Sequence, residues 1–254
     1  MDPDHAWERY GSTEPYFGVL ADERFEGRSL TDQARSEFFR TGEEHVDRVM
    51  STIRAGLAPE FSPSRALDFG CGVGRLLLPL ARRVPEVVGL DVSHSMIAEA
   101  RRNVSDAGLT NVTVLQCDER SWDQITGLFD LVHAFIVFQH IPPRVGLRYF
   151  EALLARVAPG GIGAVHFVYG VRKPAWKRAL HWARKTIPGM QPLANLAQGH
   201  PVSRPFMQMN SYPLDRLFRM LQDTGFHRIA IRYSDHGGFL GMMLLFQRVR
   251  EPSW

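Results

Sequence analysis

Cysteine is scarce. Only Cys71 and Cys117 occur in 254 residues, and neither stands in a paired spacing suited to a disulfide framework or a zinc site. Long apolar runs are missing too: no stretch approaches the roughly 18 residues of a membrane span. The opening MDPDHAWERY has no basic segment ahead of an apolar core. These absences exclude a disulfide-stapled or membrane-spanning chain and set the expectation of a reducing, cytoplasmic setting. The ten histidines form no HxH or HExxH pair and no carboxylate cluster suits a hard cation, so no metal is expected. Repeats and low-complexity tracts are lacking. Charge is nearly balanced, with 30 Lys+Arg against 27 Asp+Glu, a net +3 and a pI near 9.1. A bias this weak does not point to a nucleic-acid partner. Hydrophobic residues at 44% and charged residues at 22% are ordinary for a globular domain.

What is present is an alternation. The first 60 residues stand apart: from His5 to Arg28, aromatics lie among charges with few periodic signals, and then TDQARSEFFRTGEEHVDRVMSTIRAGL reads as a helix with Gly42 as a point of break. From Arg65, RALDFG, EVVGLDV, NVTVLQCD, FDLVHAFIVF and IGAVHFVY read as buried strands. Between them GRLLLPLARR, SHSMIAEARRNVSDAG and RVGLRYFEALLARVA read as helices, the last ended by Pro159-Gly160-Gly161. Strands and helices in turn build a parallel sheet covered on both faces. After a helix at PLDRLFRMLQDTGF, HRIAIRYSD and GGFLGMMLLFQRV are joined by a short His-Gly-Gly loop. That leaves no room for a crossover helix, so these two strands are antiparallel.

ALDFGCGVGRLLLPLA, residues 66–81, sets Gly70, Gly72 and Gly74 at every second position behind an apolar run that ends in an acid. In open parallel sheets ligands settle beyond the carboxyl ends of the strands. Glycines there let the chain turn tightly and let a ligand meet bare main chain, and the following helix offers free amides. The dinucleotide fingerprint wants glycine at the sixth position, where this loop has Arg75, so a pyrophosphate is disfavoured. With Asp68 two residues upstream, the loop resembles the first motif of class I S-adenosylmethionine-dependent methyltransferases.

The resemblance runs over residues 65–170 and more loosely to the C-terminus. It implies a Rossmann-like α/β fold, a doubly wound seven-stranded sheet that is mostly parallel with one antiparallel strand and has helices on both faces. It also implies S-adenosyl-L-methionine as cofactor, and a single domain over 1–254. Within that domain it implies an N-terminal helical lid (1–60), a cofactor-binding core (65–170), a substrate-cap insertion (171–210) and a C-terminal helix and strand pair (211–250). Asp91 matches the acid that accepts both ribose hydroxyls, Met96 the apolar side chain packed on adenine, and Asp118 the acid that receives the adenine amine. Asp68, Gly70, Cys71, Gly72 and Gly74 fall in the loop, and Val92, Cys117, Glu119 and Phe135 beside the other motifs. Arg75 is placed either to reach the cofactor carboxylate or to meet solvent. The FFRTGEEHV segment is the family's candidate lid. Taken singly, Asp91 reads as a helix N-cap and Met96 as core; the order of acids and glycines at three successive strand ends joins them into one site.

Methyl transfer from a sulfonium is an in-line displacement, which asks mainly for positioning and exclusion of water. His140, in FQHIP just past the fourth strand, is the candidate base for a hydroxyl or amine acceptor. Gln139 beside it is a candidate for orienting the substrate. His133 and His166 fall inside strands and read as core, whereas Tyr169, Met207, Asn210 and Tyr212 are candidates for the acceptor pocket. The stretch VRKPAWKRALHWARKTIP reads as a basic amphipathic helix or as a plain solvated face. The leading expectation is methylation of an oxygen or nitrogen on a small-molecule acceptor such as a natural product, sugar or lipid-like metabolite. FQHIPP does not match the Pro-Pro-aromatic motif of base-amino enzymes. An RNA or protein methyltransferase docking through the basic insertion, and a non-catalytic binding subunit, stay open, as does the oligomeric state.

Overall fold

A computed structural model describes residues 3–27, 30–117, 125–187, 189–197, 199, 201–202 and 204–249. Seven strands, β1 (Arg65–Phe69), β2 (Glu86–Asp91), β3 (Val112–Gln116), β4 (Phe129–Ala134), β5 (Val157–Val171), β6 (Arg228–Asp235) and β7 (Phe239–Gln247), form one sheet in the order β3-β2-β1-β4-β5-β7-β6. The five strands from β3 to β5 are parallel, and β7 runs against both β5 and β6. The order in which strands are added reverses between β1 and β4, which opens a crevice at their carboxyl ends.

Alternation along each strand feeds two cores. Ala66, Leu131 and Ala164 face one side, where α3 (Asp32–Gly56), α4 (Leu77–Ala81) and α5 (His94–Asp106) bury Val49, Ile53, Leu77 and Ile97. Leu67, Val132 and Val165 face the other, against α6 (Pro143–Leu154) and α9 (Leu214–Asp223), which supply Phe150, Leu153, Leu217 and Leu221. A third cluster, with Tyr10, Tyr16, Phe25 and Phe38, sits under α1 (Pro3–Thr13) and α2 (Pro15–Val19). The insertion folds as α7 (Ala175–Thr186) and α8 (Met190–Ala197). Among the described residues no helix is long and apolar enough to cross a membrane.

Four local expectations change. The segment from His5 to Phe25 is largely helical, because its aromatics pack onto α3 and α5 rather than onto one face of their own helix. Helix α3 passes through Gly42 unbroken, since a β-carbon there would collide with the Arg75 carbonyl and glycine is what lets α3 lie so close. Helix α4 is only five residues long because the chain up to Leu76 is spent on the glycine loop. Pro79 lies in its first turn, where the missing N–H costs no helical hydrogen bond. Pro159, Gly160 and Gly161 belong to β5, at a register irregularity opposite Phe129 and Leu131.

Candidate functional site

The crevice holds a cavity of about 320 Å³ whose floor is main chain. Gly70 and Gly72 have φ of 73° and 53°, a region that side chains with a β-carbon rarely adopt. Their conformation aims successive amides at one place. Gly70 and Cys71 donate to the Leu90 carbonyl at 2.7 and 2.9 Å, and Gly72 donates to Asp91 Oδ2 at 2.8 Å. The Ser93 amide donates to Asp91 Oδ1 at 2.9 Å. Asp91 lines the cavity, and a carboxylate has more acceptor sites than these two amides fill. Desolvation pushes the Asp91 pKa up to about 6 against the pull of the Ser93 and Gly72 amides. A β-carbon on Gly72 would stand 2.5 Å from Val19 Cγ2, so glycine here also makes room for the α1–α2 layer above.

Behind the floor runs a buried relay. Asp68 Oδ1 lies 2.8 Å from His133 Nδ1, and His133 Nε2 lies 3.1 Å from His45 Nε2 on α3. A carboxylate only accepts, so His133 donates from Nδ1 to Asp68, and of the two facing Nε2 atoms one donates and the other accepts. Burial holds the His45 pKa well below its ordinary value, with His133 and Arg75 pushing the same way, so the ring is neutral. Among the described residues, Asp68 Oδ2 and Arg75 Nε are buried at this place and find no partner. Both residues line the cavity. Burial brings the Arg75 pKa down to about 10, with Asp68 opposing, so the guanidinium keeps its charge at neutral pH. An unpaired buried acceptor and an unpaired buried donor cost about 1–3 kcal/mol each unless a ligand completes them.

The side wall follows β4. Ile136 has φ of 62°, a conformation costly for a β-branched residue, and it turns the chain so that Phe135, Ile136 and Val137 all border the cavity. His140 is buried, with Nδ1 2.7 Å from the Gln208 carbonyl. That carbonyl fixes the proton on Nδ1 and leaves Nε2 as acceptor, met by Gln139 Nε2 at 3.2 Å. Desolvation pushes the His140 pKa down to about 4, against the Gln208 contact, and the Trp7 ring stands edge-on at 4.9 Å.

The roof comes from α1 and α2, through Asp4, Trp7, Gly18 and Val19. Glu8 fastens it: its carboxylate accepts from Ser93 Oγ at 2.9 Å, from Ser95 Oγ at 2.5 Å and from the Ser95 amide at 3.2 Å. Although burial opposes it, these bonds hold the Glu8 pKa below its ordinary value. Tyr10 adds a bond to the Pro205 carbonyl at 2.8 Å, and Arg204 pairs with Glu26 at 2.6 Å.

Of the sequence-predicted residues, Asp68, Gly70, Cys71, Gly72, Arg75, Asp91, Val92, Met96, Cys117, Phe135 and His140 border this one cavity. Gly74 does not; its φ of 93° closes the loop against Leu78 and Ala100. Asp118 and Glu119 lie outside the described residues. Gln139 is not a lining residue of the cavity but covers His140 Nε2 with its own Nε2, and Asn210 brackets it by donating its amide and Nδ2 to the Gln139 carbonyl at 2.7 and 3.1 Å. Tyr212 is core: its hydroxyl donates to the Ile141 carbonyl at 2.9 Å among Phe138, Phe150 and Phe167. Met207 packs beneath the roof, and Tyr169 lies against Tyr233, away from the cavity lining. The FFRTGEEHV segment forms part of α3 behind the floor, with Glu43 paired to Arg82 and Glu44 to Arg40. Asp4, Trp7 and Val19 are among the lining residues that sequence reasoning missed.

The sheet order, its reversed final strand and the glycine loop at the β1–β4 crevice together define a class I methyltransferase fold. Residues 66–161 match the family described as a methyltransferase domain. Across 97% of this chain and 100% of the other, the fold is similar to the crystal structure of magnesium protoporphyrin IX methyltransferase (ChlM) from Synechocystis PCC 6803 with bound SAH, at 20% identity and a TM-score of 0.62. Aklanonic acid methyltransferase DauC of Streptomyces sp. (strain C5) is 32% identical over 127 residues, covering 48% of this chain and 57% of that protein. The 23S rRNA (uracil(1939)-C(5))-methyltransferase RlmD of Burkholderia pseudomallei (strain 1710b) is 38% identical over 109 residues, 42% of this chain. The match takes in only 23% of that protein's length.

Proposed function

We propose that this chain transfers the methyl group of S-adenosyl-L-methionine to an oxygen or nitrogen of a small-molecule acceptor. One observation carries the reading: Asp68 and Arg75, which hold the buried and unpartnered Oδ2 and Nε, border the same cavity as Asp91. An α-ammonium and an α-carboxylate would complete the first two, and a ribose diol would meet the third. The donor's chemistry therefore fits the residues present, and the bare main chain of Gly70 and Gly72 leaves room for its amino-acid end. Met96, Val92 and Cys117 supply an apolar wall suited to a purine. When bound, the donor supplies an electrophilic methyl carbon on a sulfonium.

The chain's own part is positioning and proton handling. Trp7, Val19 and Gly18 close the cavity from above as a lid, which excludes water from the reacting centre. His140 stands neutral at pH 7 with Nε2 aimed away from its Gln208 anchor, and there it takes the proton of the acceptor hydroxyl or amine as Gln139 yields its place. A roof built so tightly over the floor suits a small acceptor. The RNA reading draws its support from the similarity to the rRNA enzyme, a similarity that spans less than half of this chain. Calorimetry of donor binding, followed by transfer of radiolabelled methyl from donor into fractionated cell extract, tests both steps. Label in the small-molecule fraction is expected. Label confined to RNA or protein, or no donor binding at all, overturns the proposal.

A further inference from the structure

The insertion between β5 and α9 is built inside out. In α8, Asn195 is fully buried and donates to the Val202 and Arg204 carbonyls at 3.3 and 2.9 Å, and Gln191 reaches inward to Asn195 Oδ1 at 2.8 Å. The apolar side chains point the other way: Leu193 and Leu196 are each 65% exposed. On α7, Trp176 is 64% and Trp182 62% exposed, with Leu180 and Ile187 also open. Arg184 ties the two helices by donating to Gln191 Oε1 at 2.9 Å. A helix pair that places amides inside and leucines and tryptophans outside is arranged for an apolar phase at its outer surface.

Charge says what kind of phase. All three lysines of the chain, Lys173, Lys177 and Lys185, fall in or beside α7, together with Arg172, Arg178 and Arg184. Between Glu151 and Asp215 there are eight Lys or Arg and no acid, leaving 22 basic against 27 acidic side chains in the rest of the protein. The near-neutral whole therefore hides a strongly basic insertion on an acidic body. Tryptophan and leucine with basic neighbours match the layer where acyl chains meet anionic headgroups, and tryptophan prefers that boundary.

We propose that α7 and α8 form an interfacial docking face that lays this protein on an anionic lipid bilayer. Apolar side chains enter the headgroup boundary, and the net positive charge of the insertion draws it to anionic lipid. The face is joined to the roof of the cavity, because the segment following α8 bonds to Tyr10 through Pro205 and to Glu26 through Arg204. Docking would thus hold α1 and the cavity mouth in a fixed relation to the membrane. The inference does not depend on which acceptor is methylated, since docking is read without donor or acceptor.

The test is sedimentation of the full chain with vesicles of phosphatidylcholine containing about one third phosphatidylglycerol, at low salt. Expected are binding to these vesicles, little to phosphatidylcholine alone, and release as salt rises. The double variant Trp176→Ser/Trp182→Ser, both positions being exposed, should melt as the parent does and partition about tenfold or more weakly. Should that variant fold poorly, Leu193→Ser/Leu196→Ser gives the same reading. Three outcomes overturn the proposal: no association with anionic vesicles, partition equal on neutral ones, or partition unchanged in both folded variants. Preference for RNA over vesicles would also sink it, as would a dimer that the tryptophan variant abolishes and vesicles leave intact.

Discussion

The floor and the roof of the cavity are held by different physics. Below, Gly70, Cys71, Gly72 and Asp91 form a lattice of main-chain amides and one carboxylate, with partners within a few residues or across adjoining strands. Above, α1 and α2 hang from side-chain bonds that join distant parts of the chain: Glu8 to Ser93 and Ser95, Tyr10 to Pro205, Arg204 to Glu26. Main-chain geometry cannot relax without refolding the loop, whereas a side-chain latch opens by one rotation. The floor is therefore the rigid part, and the roof is the part able to open for exchange of ligands.

The largest effect that would sharpen this contrast is expected at Gly70. Alanine there must hold a positive φ and meet the Val137 side chain, a combination of strain and overpacking that costs about 3 kcal/mol or more. Urea unfolding of Gly70→Ala should show that loss, with donor binding abolished. A variant of near-parental stability that still binds would break the claim of a rigid floor. Next comes His140→Ala, expected to lower the methylation rate by about 100-fold if Nε2 takes the acceptor proton. The parental rate should hold steady above the low pKa of His140, since the ring is neutral there. A loss below about tenfold, with no change in pH profile, would leave His140 a positioning residue held by Gln208.

Asp91→Ala should weaken donor affinity by more than about tenfold, the scale of hydrogen bonds to a charged group. The same carboxylate sets a pH dependence. Its pKa is raised to about 6 without ligand, and a bound diol favours the ionised form, so affinity should be flat above 6 and fall as pH drops through it. Calorimetry at pH 5 and pH 7.5 checks this, and Asp91→Asn should remove the slope. An affinity that rises on acidification would show that the acid form is the one that binds.

Much of the floor was legible in sequence because its causes are local. A positive φ demands glycine within a few residues of the strand it follows, and an acid at a strand end holds the turn into the next helix, as the Ser93 amide on Asp91 shows, with Ser93 itself the cap. The directions of the strands were legible for the same reason: apolar runs alternate with helical stretches, and the short loop before Phe239 forbids a crossover; the order of the strands was not. The roof was not. Tyr10 and Pro205 are 195 residues apart, and Trp7 meets His140 across most of the core, so no periodicity in residues 3–27 reports either contact. His133 read as a core residue, and it is buried. Its two partners come from β1 and from α3, and only the fold brings them into line. The acceptor candidates after residue 205 were chosen by type. Asn210 and Tyr212 turn out to brace the 139–141 turn from behind, a role that their side chains share with any pocket residue until register is known.

The smallest expected effect tests the roof itself. Glu8→Gln keeps the shape of the latch but removes a negative charge from the N-terminus of α5, where such a charge is worth about 0.3–1 kcal/mol. Because the folded pKa of Glu8 is lowered, its contribution is present above its ordinary carboxylate pKa and is lost as pH falls through the folded value, so the comparison belongs at neutral pH. Global stability by urea should fall by no more than about 1 kcal/mol, within the surface-charge range. Donor dissociation in stopped-flow should quicken several-fold, since α1 lies over the cavity and the latch resists its opening. A variant destabilised as severely as Gly70→Ala would mean that roof and floor unfold as one unit. Unchanged dissociation would mean that ligands leave without α1 moving, and the route would then lie past Tyr149 and Val145 on the opposite rim.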